Sequence, residues 1–339
     1  MNNVKILIIQ TAFPGDAILT LPMIQQLKKN IPSSKIDIVA TPSTVEIFNS
    51  SPHVDETIVY DKRNSQHSVF QLIKFIFQIK MKNYDRIYSP HRSFRTSLIV
   101  WLSGVKNTYG FDTSSISFVY KNKIKYESQI HEVARNLKLV GFDIRNDYWK
   151  IKPEIDIPNE TKLKIESQLI KETKKKIAAV APGSVWPTKK YPKEYYEQII
   201  KYLLEKDFFV VLVGGKDDIS ICMDIKKKFN DSVKSFAGEL SIAESMELIR
   251  NCSLLICNDS APTHMGMATG TPTLTIYCST VPDFGFYPYT RNSSFISFDE
   301  LTCKPCGIHG HNKCPIKTFD CGYKLNPERI IERINSMNV

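Results

Sequence analysis

Two rhythms of apolar and polar positions alternate along the chain. Short apolar runs, Val4–Ile9, Ile36–Val39, Thr57–Val59 and Arg86–Tyr88, read as buried strands. Between them, apolar residues recur at helical spacing over Asp16–Asn30, Gln66–Lys82 and Phe94–Leu102. An amphipathic segment, Glu127–Val140, closes this first series. A passage rich in Lys, Glu and Pro follows from 150 to 176, with one polar helix candidate. The alternation then restarts: strands at Ile177–Ala181, Phe209–Val213, Leu254–Cys257 and Thr273–Tyr277, and helices at Pro192–Lys206, Asp217–Phe229, Ile242–Asn251 and around His264–Ala268. A terminal helix is predicted at Pro327–Met337. Strand and helix in regular alternation predict an α/β fold with two doubly wound, Rossmann-like domains, and a cleft lined by their strand-end loops. The expected boundaries are 1–155 for the first domain, 156–175 for a linker and 176–339 for the second.

Length agrees with two domains, since 339 residues exceed what one ordinary core organises. The first apolar run is too short for a signal sequence and passes directly into a turn. The longest approach to a membrane span, Phe70–Met81, is interrupted by Lys74, Gln78 and Lys80 and falls short of the roughly 20 residues a bilayer requires. A cytoplasmic or peripheral protein is expected. The net charge of +10 is concentrated in residues 1–150, which hold 20 Lys+Arg against 12 Asp+Glu. That asymmetry suits an anionic partner such as a phosphorylated lipid or an anionic membrane surface. Nucleic acid is disfavoured, because no basic stretch is interleaved with aromatics.

Candidate chemistry lies at strand ends. Pro14-Gly15 breaks the first strand and leaves Asp16 at the start of a helix, either as a cap or as a reactive carboxylate. Arg92 and Arg95, forked donors just after a strand, are candidates for an acidic sugar or phosphate. In the second half, Ala181-Pro182-Gly183-Ser184 leaves a strand as a loop suited to phosphate, with Gly183 admitting close approach, Ser184 supplying a hydroxyl and Lys189 neutralising a diphosphate. Asn258-Asp259-Ser260-Ala261-Pro262-Thr263-His264 starts a helix directly from a strand; Ser260, the amides of Ala261 and Thr263, and His264 are its expected anion donors. Gly214-Gly215-Lys216-Asp217-Asp218 lacks both dinucleotide and P-loop spacing, which argues against NAD-type redox chemistry and ATP hydrolysis.

All eight cysteines lie in the second half, and Cys303, Cys306, Cys314 and Cys321 crowd one segment with His309 and His311. Free thiols, a structural metal and disulfides are the alternatives, the last disfavoured in a reducing compartment. No ligand set is assigned.

Four blocks, F-P-G-D-A-I-L-T-L-P, P-G-S-V-W-P-T-K-K-Y-P, L-V-G-G-K-D-D and N-D-S-A-P-T-H-M-G-M-A-T-G-T-P, together resemble glycosyltransferase family 9, the ADP-heptose:lipopolysaccharide heptosyltransferases. His131–Leu137 also looks like the segment that closes the family's acceptor domain, and the cysteine-rich block resembles one found in a subset of members. The resemblance implies a GT-B fold with acceptor on the N-terminal domain and nucleotide-sugar on the C-terminal one. It implies an inverting transferase that needs neither metal nor cofactor, with Asp16 as general base and Lys189 stabilising the departing diphosphate. Gly183, Ser184, Asp259, Ser260, Ala261, Pro262 and His264 would bind the donor, and Gly15, Arg92 and Arg95 the acceptor. Some members read the ribose with a glutamate where Ala243 stands here, one place before Glu244, which is the nearest candidate; ADP is still the expected nucleotide, carrying a heptose or another hexose-like sugar. The acceptor would be a lipopolysaccharide core or another anionic lipid-linked glycan met at the cytoplasmic membrane face. The competing readings are another GT-B sugar-nucleotide enzyme and a non-catalytic nucleotide-sugar-binding protein.

Overall fold

In the computed structural model, Ile6, Leu7, Ile8 and Ile9 are wholly inaccessible to solvent, as befits a strand covered on both faces. The structure describes residues 3–62, 68–172, 174–337 and 339, with the side chains of 170–172 excepted. The chain divides into two units, Met1–Asp156 and Ile157–Val339.

The first unit runs β1 (Lys5–Ile9), α1 (Pro14–Asn30), β2 (Lys35–Ala40), α2 (Val45–Asn49), β3 (Glu56–Val59), α3 (Val69–Met81), β4 (Arg86–Ser89), α4 (Phe94–Leu102), β5 (Asn107–Phe111), β6 (Asn122–Ile124) and α5 (Glu132–Leu139). Its six strands are parallel in the order β3-β2-β1-β4-β5-β6. The expected start of the third helix, Gln66, lies outside the described residues; within them Ser68 caps α3, its hydroxyl accepting from the Gln71 amide at 3.2 Å. Helix α5 packs on α1, and Asn136 Nδ2 donates to Leu19 O at 3.2 Å.

The second unit runs α6 (Asn159–Glu172), β7 (Ile177–Ala181), α7 (Lys193–Glu205), β8 (Phe209–Leu212), α8 (Ile219–Phe229), β9 (Val233–Ser235), α9 (Ile242–Arg250), β10 (Leu254–Asn258), α10 (Ala261–Thr269), β11 (Thr273–Tyr277), β12 (Ser294–Ser297), α11 (Asp320–Tyr323) and α12 (Pro327–Ser336). Its parallel order is β12-β11-β10-β7-β8-β9. Counted from its own first strand, this is the order of the first sheet. The polar helix of the expected linker is α6, which packs against α9. Among the described residues no helix is long and apolar enough to cross a membrane.

In each sheet the order reverses between the first and fourth strands, so the loops after β1 and β4, and those after β7 and β10, diverge and leave a crevice at the carboxyl edge. Asp16 and Arg92 follow β1 and β4, whereas Gly183 and Asp259 follow β7 and β10.

Candidate functional site

In the first unit, Asp16 occupies the third position of α1, where its Oδ2 accepts from the Phe13 amide at 3.2 Å. Gly15 beside it is buried. The strand-end Gln10 braces the turn: its Nε2 donates to Thr20 Oγ1 at 2.9 Å, and its Oε1 accepts from the Ala12 amide. His91 ties this turn to the loop after β4, with Thr11 Oγ1 and Thr96 Oγ1 each 2.9 Å from Nδ1. Burial, reinforced by the cations Lys62 and Arg92, pushes its pKa down to about 4, so the imidazole is neutral at pH 7.

Arg92 stacks its guanidinium 3.8 Å above the centre of the Tyr126 ring and donates to Thr113 Oγ1 at 3.1 Å. Arg95 donates to Tyr60 OH at 3.2 Å, and Lys62 Nζ to Thr11 O at 2.7 Å. Arg135 is buried beneath the same tyrosine, 5.0 Å from the ring centre, and pairs with Glu132 at 2.6 Å. The Tyr126 phenol is raised, first by burial, then by Glu132, and also by Asp16; Arg135 and Arg92 oppose the rise. One tyrosine thus feels Asp16, Arg92 and Arg135 together. Lys62, His91, Tyr126 and Arg135 are additions to the expected set. Their signal was topological: each follows or supports a strand end that meets the others only once the sheet order is known.

In the second unit, Asn258, fully buried at the end of β10, fastens three segments. Its Oδ1 accepts from the Tyr191 amide at 3.0 Å and from Tyr196 OH at 2.9 Å, while Nδ2 donates to Pro182 O at 2.8 Å and Gly183 O at 3.1 Å. Next to it, Lys189 Nζ and Asp259 Oδ2 form a 2.6 Å ion pair with side chains only 13% and 10% exposed. Thr280 Oγ1 donates to the same oxygen at 2.7 Å. The ammonium expected to meet a diphosphate is therefore already balanced by a carboxylate.

Helix α10 starts without a side-chain cap, because Ser260 Oγ donates backwards to Asn258 O at 3.2 Å. Of the two amides expected to face an anion, that of Thr263 already donates to Ser260 O at 3.1 Å. Pro262, second in the helix, has no amide hydrogen to donate. His264 is buried, its Nδ1 has no hydrogen-bond partner among the described residues, and burial lowers its pKa to about 4, Asp259 working against the fall and Lys189 with it. A buried donor or acceptor without a partner costs about 1–3 kcal/mol, so this nitrogen is an open position next to the ion pair.

Two of the expected donor residues also serve the fold itself. Gly183 is needed for an internal neighbour, because a Cβ there would lie 1.9 Å from Asp218 Oδ1, and that carboxylate accepts from the Gly215 amide at 3.0 Å. Ser184 continues this loop. Glu244 completes a capping box on α9, its Oε2 accepting from the Ser241 amide at 2.8 Å, and its other oxygen pairs with Lys164 of α6. The Lys164 bond, followed by the Ser241 amide, lowers its pKa.

The cysteine-rich segment forms part of this neighbourhood. Thr188 and His311 exchange backbone and hydroxyl bonds of 2.7 to 3.2 Å, Trp186 stacks on His309, and the His309 pKa is lowered by burial and then by Lys189. Burial drives the Cys321 pKa up to about 11, Lys304 opposing the rise and the thiols of Cys306, Cys314 and Cys303 adding to it. Cys314 differs: burial raises its pKa, but the amides of Phe319, Ile316, Lys317 and Thr318 outweigh burial and lower it. All eight cysteines are free thiols. Among the described residues, no group of three or more His, Cys, Asp or Glu is arranged to hold a metal ion.

Comparison with known proteins agrees with this architecture. The chain is 26% identical to lipooligosaccharide heptosyltransferase 2 of Campylobacter jejuni, covering 98% of this chain and 99% of that protein. It superimposes on the structure of the Escherichia coli ADP-heptose LPS heptosyltransferase II with a TM-score of 0.81 at 21% identity, covering 98% of both chains. A family 9 glycosyltransferase from Veillonella parvula gives a TM-score of 0.87 at 20% identity, covering 99% of this chain and 98% of that one. These structural likenesses show the expected fold. The sequence profile described as glycosyltransferase family 9 (heptosyltransferase) matches residues 72–315, well over half of the sequence, and the chain therefore belongs to that family of glycosyltransferases.

Proposed function

We propose that the protein transfers a heptose from ADP-heptose to the core of a lipopolysaccharide or a related anionic lipid-linked glycan, with inversion at the anomeric carbon and without a metal. The Campylobacter relative is a lipooligosaccharide heptosyltransferase and the E. coli structure an ADP-heptose one, which supports this choice of donor and acceptor. The first unit holds the acceptor. Arg92, Arg95 and Lys62 offer cations to its phosphate or acidic sugars, and Gly15 keeps the turn beside Asp16 open. Asp16 removes the proton from the attacking hydroxyl, whose oxygen forms the new bond to the anomeric carbon. The bond from that carbon to the β-phosphate oxygen breaks, and ADP departs with the electron pair.

The second unit holds the donor. Lys189, the tip of α10 and the open Nδ1 of His264 offer positive charge and hydrogen bonds to the diphosphate, which is the role a divalent cation fills elsewhere. Ser184, Ser260 and Ala261 line the same strand ends. Asp259 keeps Lys189 aimed until the diphosphate shares it. Glu244, whose oxygens accept from the Ser241 amide and pair with Lys164, keeps acceptor capacity for the ribose hydroxyls. A panel of ADP-, GDP-, UDP- and dTDP-sugars in thermal shift identifies the nucleotide.

The observation that carries the proposal is the position of Asp16 at the β1/β4 crevice, sharing Tyr126 with Arg92 and Arg135. Asp16→Asn is expected to abolish transfer while the ADP-sugar thermal shift persists. Undiminished turnover in that variant overturns the mechanism. Donor binding with no turnover in the wild type, for any acceptor extract, would favour a binding protein instead.

A further inference from the structure

Helix α3 is apolar on both of its sides. Leu72, Phe75, Ile76 and Ile79 fill the core, yet Phe70, Ile73, Phe77 and Met81 face outward with exposures of 76%, 56%, 62% and 64%. Residues spaced by three, four and four positions form a single stripe, and at 100° per residue Lys80 and Lys74 fall on its two opposite borders. Lys74, Gln71 and Gln78 make one flank polar, but the outer stripe is a contiguous row of large exposed apolar side chains, which calls for a medium that is not water. The neighbouring element repeats the pattern: on α4, Phe94 and Trp101 are exposed, and Trp101 meets the exposed Phe118 edge-on at 6.2 Å. Helix α4 begins directly after Arg92 and carries Arg95 in its first turn, so the apolar surface leads to the proposed acceptor cations.

We propose that the outer faces of α3 and α4 seat the first unit in the surface of an anionic phospholipid bilayer. Thirteen residues make a helix about 20 Å long, too short to span the roughly 30 Å hydrocarbon core but sufficient to lie in its interface. Lysines bordering an aromatic stripe reach lipid phosphates while their stems cover apolar surface, and Trp101 suits the headgroup level. The excess of basic residues in the first 150 positions has the matching sign. A second copy of the chain is a poorer occupant, because a self-complementary contact returns Lys74 and Lys80 to the same charged rim. The inference rests on the proposed reaction only for why a bilayer is approached, since the acceptor is then lipid-linked.

The test is co-sedimentation of the full chain with vesicles of phosphatidylcholine alone or mixed with phosphatidylglycerol. The wild type is expected to sediment with the mixed vesicles, more weakly as salt rises, and far less with the neutral ones. Phe70→Ser/Phe77→Ser and Lys74→Gln/Lys80→Gln are each expected to lower partitioning about tenfold or more. Both variants are expected to keep the wild-type melting temperature and turnover on a lipid-free acceptor. Equal partitioning of wild type and variants overturns the proposal. So does light scattering that finds a wild-type dimer dispersed by Phe70→Ser/Phe77→Ser. Loss of turnover by the wild type on the lipid-free acceptor counts against the reaction alone and leaves vesicle binding standing.

Discussion

Lys189 and Asp259 face each other at 2.6 Å across the loops that follow β7 and β10, in a setting that excludes most water. Removing one partner leaves the other charge stranded. Lys189→Met is expected to destabilise the second unit by about 3 kcal/mol, and Lys189→Met/Asp259→Asn to recover much of that loss. A double-mutant cycle in urea checks the coupling, while donor affinity stays low in both variants. Additive losses in the cycle would show that the pair is not energetically linked.

Asn258 is the buried fastener of the donor loops. Asn258→Ala removes four hydrogen bonds and leaves the Tyr191 amide and Tyr196 hydroxyl without an acceptor, with an expected cost of about 3 kcal/mol. Asn258→Asp keeps the acceptor but not the donor to Pro182 O and Gly183 O, and is expected to fall between. Chemical denaturation measures both; a wild-type midpoint for Asn258→Ala would deny Asn258 this role.

Gly183→Ala places a methyl group against the Asp218 carboxylate. The expected destabilisation is about 1–3 kcal/mol, partly relieved when Asp218→Ala is added. Were glycine kept there only for a ligand, the alanine variant would fold with wild-type stability and lose donor binding, which thermal shift with and without ADP-sugar distinguishes.

His91 and His264 both have pKa values lowered from 6.5 to about 4, chiefly by burial. The unfolded chain therefore takes up protons before the folded one does. Their contribution to stability is complete above pH 6.5 and is lost as pH falls from there toward 4, below which both states are protonated. Melting temperatures measured across this window are expected to fall, and His264→Gln to flatten the slope. An unchanged slope in that variant would assign the acid sensitivity elsewhere.

Arg92 is fixed by Tyr126 and Thr113 rather than swinging free. Arg92→Ala is expected to raise acceptor KM about tenfold or more with little change in donor affinity, and Arg92→Lys to recover little, because an ammonium lacks the planar fork and ring stacking. Equal KM values for wild type and Arg92→Ala would remove Arg92 from the acceptor contact.

The inner strands were legible because Ile6–Ile9 and Ile177–Ala181 are unbroken apolar runs, and Thr273–Tyr277 holds only residues that favour strands or apolar surroundings, each lying between helical periods. The strands that escaped notice, β5, β6, β9 and β12, lie at or next to the sheet edges and carry Asn107, Gly110, Asn122, Lys234 and Ser294, so neither run nor alternation marks them. Gly110 is dictated from a distance, since a Cβ there would lie 2.5 Å from the Tyr120 ring. At the site, Asp16, Arg92, Lys189 and Asp259 stood out through local motifs. The partners that define their chemistry, His91 for the turn and Thr280 for Asp259, come from distant segments and required the fold. Glu244 serves its own helix start as well, accepting from the Ser241 amide.

The recurrence of one strand order in both halves makes the chain a pair of like mountings. In the proposed reaction, donor preference can be redesigned within segments 182–189 and 259–264 and acceptor preference within 10–16 and 90–95. Neither hydrophobic interior need be disturbed, so a library confined to these four short stretches would search specificity while sparing the scaffold.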